Sequence, residues 1–214
     1  TGALYSKSGD HLSALPYLKT ATNLNQESAE VWCNLGSVQN SLGDTSAAVE
    51  SYQRAIKISP DESTIHFNLA NCLKSQGKGE LAVDSYRRAL DLDPKYAAAF
   101  NNLGLALMSL SFFDEAAQCF QEAIDLIPSN TEALLNLAAI QFKTGDLDKC
   151  VITLNRTIEL NPNLAEIYFI KGNVFCNRRA YQDAVDQFYK VLDIDSSHFA
   201  ALSNLSEVLL KCGK

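Results

Sequence analysis

"VWCNLGSVQNSLGDTSAAVESYQRAIKISP", residues 31–60, holds two bursts of apolar and small residues separated by a turn and closed by a proline. Trp32, Leu35 and Gly36 recur at helical spacing, and so do Ala48, Tyr52 and Ala55. Between the bursts, "LGDT" at 42–45 carries a glycine and an aspartate, which stop one helix and start the next. Pro60 has no backbone N–H to donate and clashes with a preceding helical turn, so the second helix ends before it. The stretch therefore reads as helix, turn, helix, stop.

The same pattern returns every 34 residues. Pro60, Pro94, Pro128 and Pro162 mark the period, with Gly36, Ala70, Gly104, Ala138 and Gly172 in step. Tyr52, Tyr86, Phe120, Leu154 and Phe188 fall one period apart, as do Ala55, Ala89 and Ala123. "QGKG" at 76–79 and "TGDL" at 144–147 repeat the turn. Small residues at 36, 70, 104, 138 and 172 and at 48, 82, 116 and 150 let paired helices approach, and the large residue of the second helix fills the gap. One helix pair cannot bury its own apolar face, so neighbouring units must stack.

Composition removes several function classes. A chain of 214 residues with 47% hydrophobic and 20% charged content is rich enough to build an ordered core. Apolar runs end after a few residues, far short of the roughly 20 needed for a membrane span. The net charge of -7 disfavours a phosphate-backbone partner, because nucleic-acid affinity rests on clustered Lys and Arg. Cys33, Cys72, Cys119, Cys150, Cys176 and Cys212 show no close ligand spacing, so neither a metal site nor a redox pair is predicted. Dispersed cysteines of this kind are small hydrophobes of a reducing compartment, which points to a cytoplasmic or nucleocytoplasmic protein. The chain begins without methionine, and it reads as a segment of a longer protein.

These residues carry a family resemblance. The W-x2-L-G, Ala, aromatic, Ala, Pro order of residues 31–60 resembles the tetratricopeptide repeat almost place for place. The register divides residues 1–214 into complete units at 29–62, 63–96, 97–130, 131–164 and 165–198 within a single array. A partial unit, 1–28, precedes them, with Gly2, Tyr5, Gly9, Ala14, Leu18 and Ala21 at the expected places, and the first helix of a further unit follows at 199–214. The fifth unit departs from the pattern at Ile170, Lys171, Arg179 and Ser196, which predicts looser packing there or a separate contact role. The resemblance implies an all-α, right-handed superhelical solenoid whose first helices line a concave, partner-binding groove. Places of the groove series include Glu30, Cys33, Ser37 and Asn40 in one unit, and Thr64, Phe67, Asn71 and Lys74 in the next.

Asparagine is a mediocre helix former, yet it recurs within the first helices as Asn34, Asn68, Asn102, Asn136 and Asn204. A side-chain amide offers two donors and an acceptor, so a row of them can hold the N–H and C=O groups of an extended peptide. Asn71 and Asn101 join this partner-binding set. The alternative use of the same amides is hydrogen bonding at the junction between repeats. The ladder is similar to the one in the tetratricopeptide arm of O-linked N-acetylglucosamine transferase, which implies a second reading as the substrate-selecting arm of a larger glycosyltransferase. A third reading is a structural subunit that works through its convex face. Lysines that grip a carboxylate terminus in some co-chaperones of the family are missing, since their place holds Cys33, Phe67, Asn101, Leu135, Phe169 and Ser203.

No catalytic constellation is legible. His11, His66 and His198 lack patterned acid or nucleophile partners, and His66 stands at the place of Trp32, where packing is the expected role. The acidic pairs in "PDES" at 60–63 and "DLDP" at 91–94 fall at helix ends, where carboxylates are expected to cap. Asn155-Arg156-Thr157 and Asn204-Leu205-Ser206 match a glycosylation acceptor pattern inside expected helices and read as chance. The expected function is thus non-catalytic binding of a protein or extended peptide, with no cofactor, metal, nucleic acid or membrane. Leu202, Leu205 and Leu209 of the last helix lack a second helix to cover them and predict fraying or self-association.

Overall fold

A computed structural model describes residues 10–213. Among the described residues it contains twelve helices and no strand: α1 His11–Leu24, α2 Ala29–Ser41, α3 Thr45–Ile58, α4 Ser63–Ser75, α5 Gly79–Leu92, α6 Ala97–Ser109, α7 Phe113–Leu126, α8 Thr131–Thr144, α9 Leu147–Leu160, α10 Ala165–Asn177, α11 Tyr181–Ile194 and α12 Phe199–Lys211. The fold is an all-α helical repeat. The chain divides into two compact units, Thr1–Ala116 and Ala117–Lys214, with the division inside α7. Gly2, Tyr5 and Gly9 lie outside the described residues.

The turn within each helix pair is a hydrogen-bonded motif written by the local sequence. After α2, Asp44 N–H donates to the Gln39 carbonyl at 2.9 Å and Gly43 N–H to the Asn40 carbonyl at 3.0 Å, which satisfies two orphan carbonyls of the helix end. The motif needs a left-handed residue, and Gly43, Gly77 and Gly145 supply it at φ of 86°, 72° and 86°. Asp44 then opens α3 by accepting from Ala47 N–H at 3.1 Å. Ser111 and Arg179 occupy the same place with φ of 68° and 59°, so those two turns keep the geometry without the residue best suited to it.

Within the first unit, Ala14, Leu18, Leu35 and Val38 form a core cluster with Leu15 and Trp32 against it. The Tyr52 ring lies over Gly36, where an added Cβ would stand 2.9 Å from a ring carbon. Tyr86 is fully buried beside Ala82 and Ala89 of its own helix, both likewise buried. Burial of each such ring contributes roughly 1.5–3 kcal/mol.

Within the second unit, Ala138, Cys150, Leu154, Ile167, Ile170 and Val174 form one cluster. Tyr168, Ala184, Val185, Phe188, Val191, Ala201, Leu205 and Val208 form another. Loosening at the fifth repeat is not what the structure shows. Ile170 is buried, and Gly172 meets Phe188 so closely that a Cβ would stand 2.6 Å from the ring. Lys171 donates from its ammonium to the side-chain Oδ1 of Asn155 at 2.8 Å. Its stem thus takes the leucine place while its head stays polar.

First helices are also tied to the exit turn that precedes them. Trp32 Nε1 donates to the Gln26 carbonyl at 3.0 Å and Tyr168 OH to the Pro162 carbonyl at 2.9 Å. His66 packs as expected and also lies 2.8 Å from the Pro60 carbonyl through Nε2; a carbonyl only accepts, so that nitrogen carries the proton. One capping expectation is corrected. Glu62 precedes α4 without capping it, because the longer side chain makes no bond to the first-turn N–H groups, and Asp93 instead accepts from Lys95 N–H in the exit turn. In α12, Leu205 is buried, whereas Phe199, Leu202 and Leu210 are exposed.

Candidate functional site

The first helices place Asn34, Asn68, Asn102, Asn136 and Asn204 at one position of the repeat, on the border between core and surface, with Asn71 and Asn101 at other places of the same helices. Asn34, Asn68, Asn71, Asn102, Asn136 and Asn204 are half-buried. Asn101 differs: it is only 4% exposed and offers almost no surface.

The amides form bonds across repeat junctions. Asn102 on α6 donates its Nδ2–H to Asn71 Oδ1 on α4 at 2.9 Å, and the same oxygen accepts from the Tyr86 hydroxyl at 2.5 Å. In the second unit, Asn204 on α12 donates to Asn173 Oδ1 on α10 at 2.8 Å. At the preceding junction of the first unit, the Cys72 thiol donates to Asn40 Oδ1 at 3.3 Å. Asn68 engages the Cys33 thiol, whose pKa is raised by burial. Apart from the Tyr86 bond, which ties α5 to α4, each of these bonds joins one first helix to the next.

Tyr86 explains why Asn71 is polar. Its ring is fully buried, its phenol is pushed well above the usual range by desolvation, and its hydroxyl reaches Asn71. Tyr52 has the same relation to Ser37 and the same upward shift from burial. Where the second-helix residue lacks a hydroxyl, as at Phe120 and Leu154, the residue fifteen places earlier is Leu105 or Ala139, whereas for Phe188 it is Asn173, whose oxygen is taken by Asn204 instead. This pairing of tyrosine with a polar partner was present in the sequence and was missed, because the asparagines were read as one series rather than against the second helices.

The bonded amides keep capacity to spare. Asn71 uses its oxygen twice, leaving its NH2 group, and Asn102, whose NH2 serves Asn71 and lies against the Tyr86 hydroxyl, keeps its carbonyl. These atoms are held in fixed directions by the junction bonds. Beside the earlier members, a cleft of about 530 Å³ is lined by Glu30, Cys33, Asn34, Glu62 and Thr64 among others. A half-buried row of neutral amides can supply donors and acceptors to a bound chain without any charge.

His66 and His198 have structural partners. His66 holds an exit turn, and His198 accepts from Ala201 N–H at 3.2 Å and stacks on Phe169 at 4.9 Å. Among the described residues no cluster of His, Cys, Asp and Glu is placed to hold a metal ion, and no helix is long and apolar enough to cross a membrane. Asn155 and Thr157 lie on α9 with Thr157 fully buried.

Family profiles described as TPR repeat or tetratricopeptide repeat match residues 29–62, 70–111 and 112–169. A search of curated protein sequences gives no match. Among solved structures, the chain is similar to YrrB, described as a TPR protein with an unusual peptide-binding site, at 22% identity and a TM-score of 0.76, covering 87% of this chain and 96% of that one. It is similar to pilF of Pseudomonas aeruginosa at 17% identity and a TM-score of 0.80, covering 98% and 94%. Similarity to the APC/C hetero-tetramer Cut9-Hcn1 reaches a TM-score of 0.75 at 18% identity over 97% of this chain and 41% of that one. The 34-residue period, the paired helices, the glycine-type turns and these profile matches together establish that the chain belongs to the tetratricopeptide repeat family.

Proposed function

We propose that the chain is a non-catalytic protein-interaction scaffold that binds an extended peptide along its first helices, with the amides of Asn34, Asn68, Asn71 and Asn102 contacting the peptide main chain in the first unit and Asn136 and Asn204 in the second. The observation that carries this reading is the Asn71–Asn102 pair: an amide bonded to its neighbour through one atom holds its remaining donors and acceptor in place, which lowers the ordering cost of binding. YrrB, a similar fold, is described as having a peptide-binding site, which adds support by analogy. All six cysteines are free, which favours a reducing, cytoplasmic setting.

A peptide selected from a random-sequence array on this chain provides the probe. Replacing single amides of that peptide by esters removes backbone donors and should weaken binding at alternate positions, by about 0.5–1.5 kcal/mol for each bond lost. Asn34→Ala with Asn102→Ala should lower affinity less than additively, since the two contacts share one ligand. Ester substitutions that leave the isotherm unchanged would exclude main-chain recognition.

A further inference from the structure

The turn between α6 and α7 lacks the glycine found at 43, 77 and 145 and carries an aromatic residue where those turns carry Asp44, Lys78 and Asp146. It reads "SLSFF" at 109–113, where the corresponding turns read "SLGDT", "SQGKG", "KTGDL" and "NRRAY". Ser111 takes the left-handed place at φ 68°, and Phe112 stands where Asp44 caps α3. A phenyl ring cannot accept a hydrogen bond from the first-turn N–H groups, and this one is 52% exposed. The turn thus forgoes a cap and a favourable backbone residue while presenting an aromatic ring to solvent.

Beside that ring lies a cleft of about 290 Å³, whose apolar lining is Val83, Leu107, Leu110 and Phe112. Glu80, Asp84, Arg87 and Glu115 complete it. Arg87 is engaged with Glu115 at 2.7 Å, so its charge is balanced within the rim. Glu80 and Asp84 have no ion-pair partner among the described residues, and they leave the mouth of the cleft negative. Leu81, also on α5, extends the exposed apolar surface.

We propose that this cleft is a second docking site, distinct from the asparagine ladder, for a protein segment that inserts one bulky apolar side chain between flanking lysines or arginines. The apolar floor accepts the anchor, and the two unpaired carboxylates select cationic flanks over acidic ones. None of the lining residues belongs to the ladder, so the site stands or falls independently of the main-chain clamp.

A fluorescein-labelled short peptide with one tryptophan between pairs of arginines tests it by anisotropy, with serine-centred and glutamate-flanked peptides as controls. The tryptophan–arginine peptide should bind saturably at low salt, and both controls should bind at least about tenfold more weakly. Phe112→Ser should weaken binding by about tenfold or more while keeping or raising the melting temperature, because serine restores a cap. The E80K/D84K pair should abolish the preference for arginine flanks. Equal binding of all three peptides, binding unchanged in both variants, or Phe112-dependent self-association without peptide binding would overturn the proposal.

Discussion

Replacing Asn71 by alanine tests whether the amide junction is part of the scaffold. The substitution removes the acceptor of the buried Tyr86 hydroxyl and of the Asn102 amide together. An orphaned buried hydroxyl costs about 1–3 kcal/mol, and the half-buried Asn102 amide can turn to water at little cost. Alanine is the better helix former by about 0.5 kcal/mol, which offsets part of the loss. The net expectation is a destabilisation of about 1–2 kcal/mol. Tyr86→Phe removes the hydroxyl that needs the acceptor, so Asn71→Ala in that background should cost less by about 1 kcal/mol, a coupling that a double-mutant cycle isolates. Urea titrations followed by circular dichroism measure all four proteins, with the slope monitored because repeat arrays do not always unfold in one step. An equal cost for Asn71→Ala in both backgrounds would refute the assignment of Asn71 as the partner of Tyr86. In contrast, Asn102→Ala removes a donor from Asn71 and from Tyr86 but leaves the Tyr86 hydroxyl its Asn71 acceptor, so it should cost less than Asn71→Ala.

The remaining expectations concern packing, turns, alkaline pH and association. Gly172→Ala should destabilise the second unit by about 1–2 kcal/mol through the Phe188 ring, and Phe188→Leu should relieve it, as the Ala138 and Leu154 places already show; thermal melts of single and double variants check this. Arg179→Gly and Ser111→Gly should each raise stability by about 0.5–1 kcal/mol in urea, because glycine adopts positive φ without a Cβ clash. Burial pushes the Cys150 thiol from 9.0 up to about 11, partly opposed by Arg178. The folded state therefore holds this proton more tightly than the unfolded chain; the stability is fully present below pH 9 and is lost as pH rises through 11, a loss that should be absent in Cys150→Ala when urea midpoints are compared across that range. Phe199, Leu202 and Leu210 on α12 should give concentration-dependent scattering mass that Leu202→Lys with Leu210→Lys reduces; a constant monomer mass in the unsubstituted chain would remove that expectation.

Helix pairing, turn positions and most buried places were legible in residues 31–60 and their repeats because the forces that set them act over a few residues. Helical periodicity selects Leu35, Ala48, Tyr52 and Ala55, and the turn after α2 closes through bonds between Gln39, Asn40, Gly43 and Asp44, all within one short segment. The roles of individual side chains needed the tertiary structure. Asn71 and Asn102 are far apart in sequence, and only the stacking of α4 on α6 brings the amides to 2.9 Å. Arg179 could not be read as left-handed from its own propensity, because bonds on both sides of the turn override a preference of about 1 kcal/mol. Lys171 looked like a packing defect until the fold supplied Asn155 for its ammonium. Local chemistry wrote the repeat, whereas partner choice at each polar position was decided by which neighbouring helix arrived within hydrogen-bond reach.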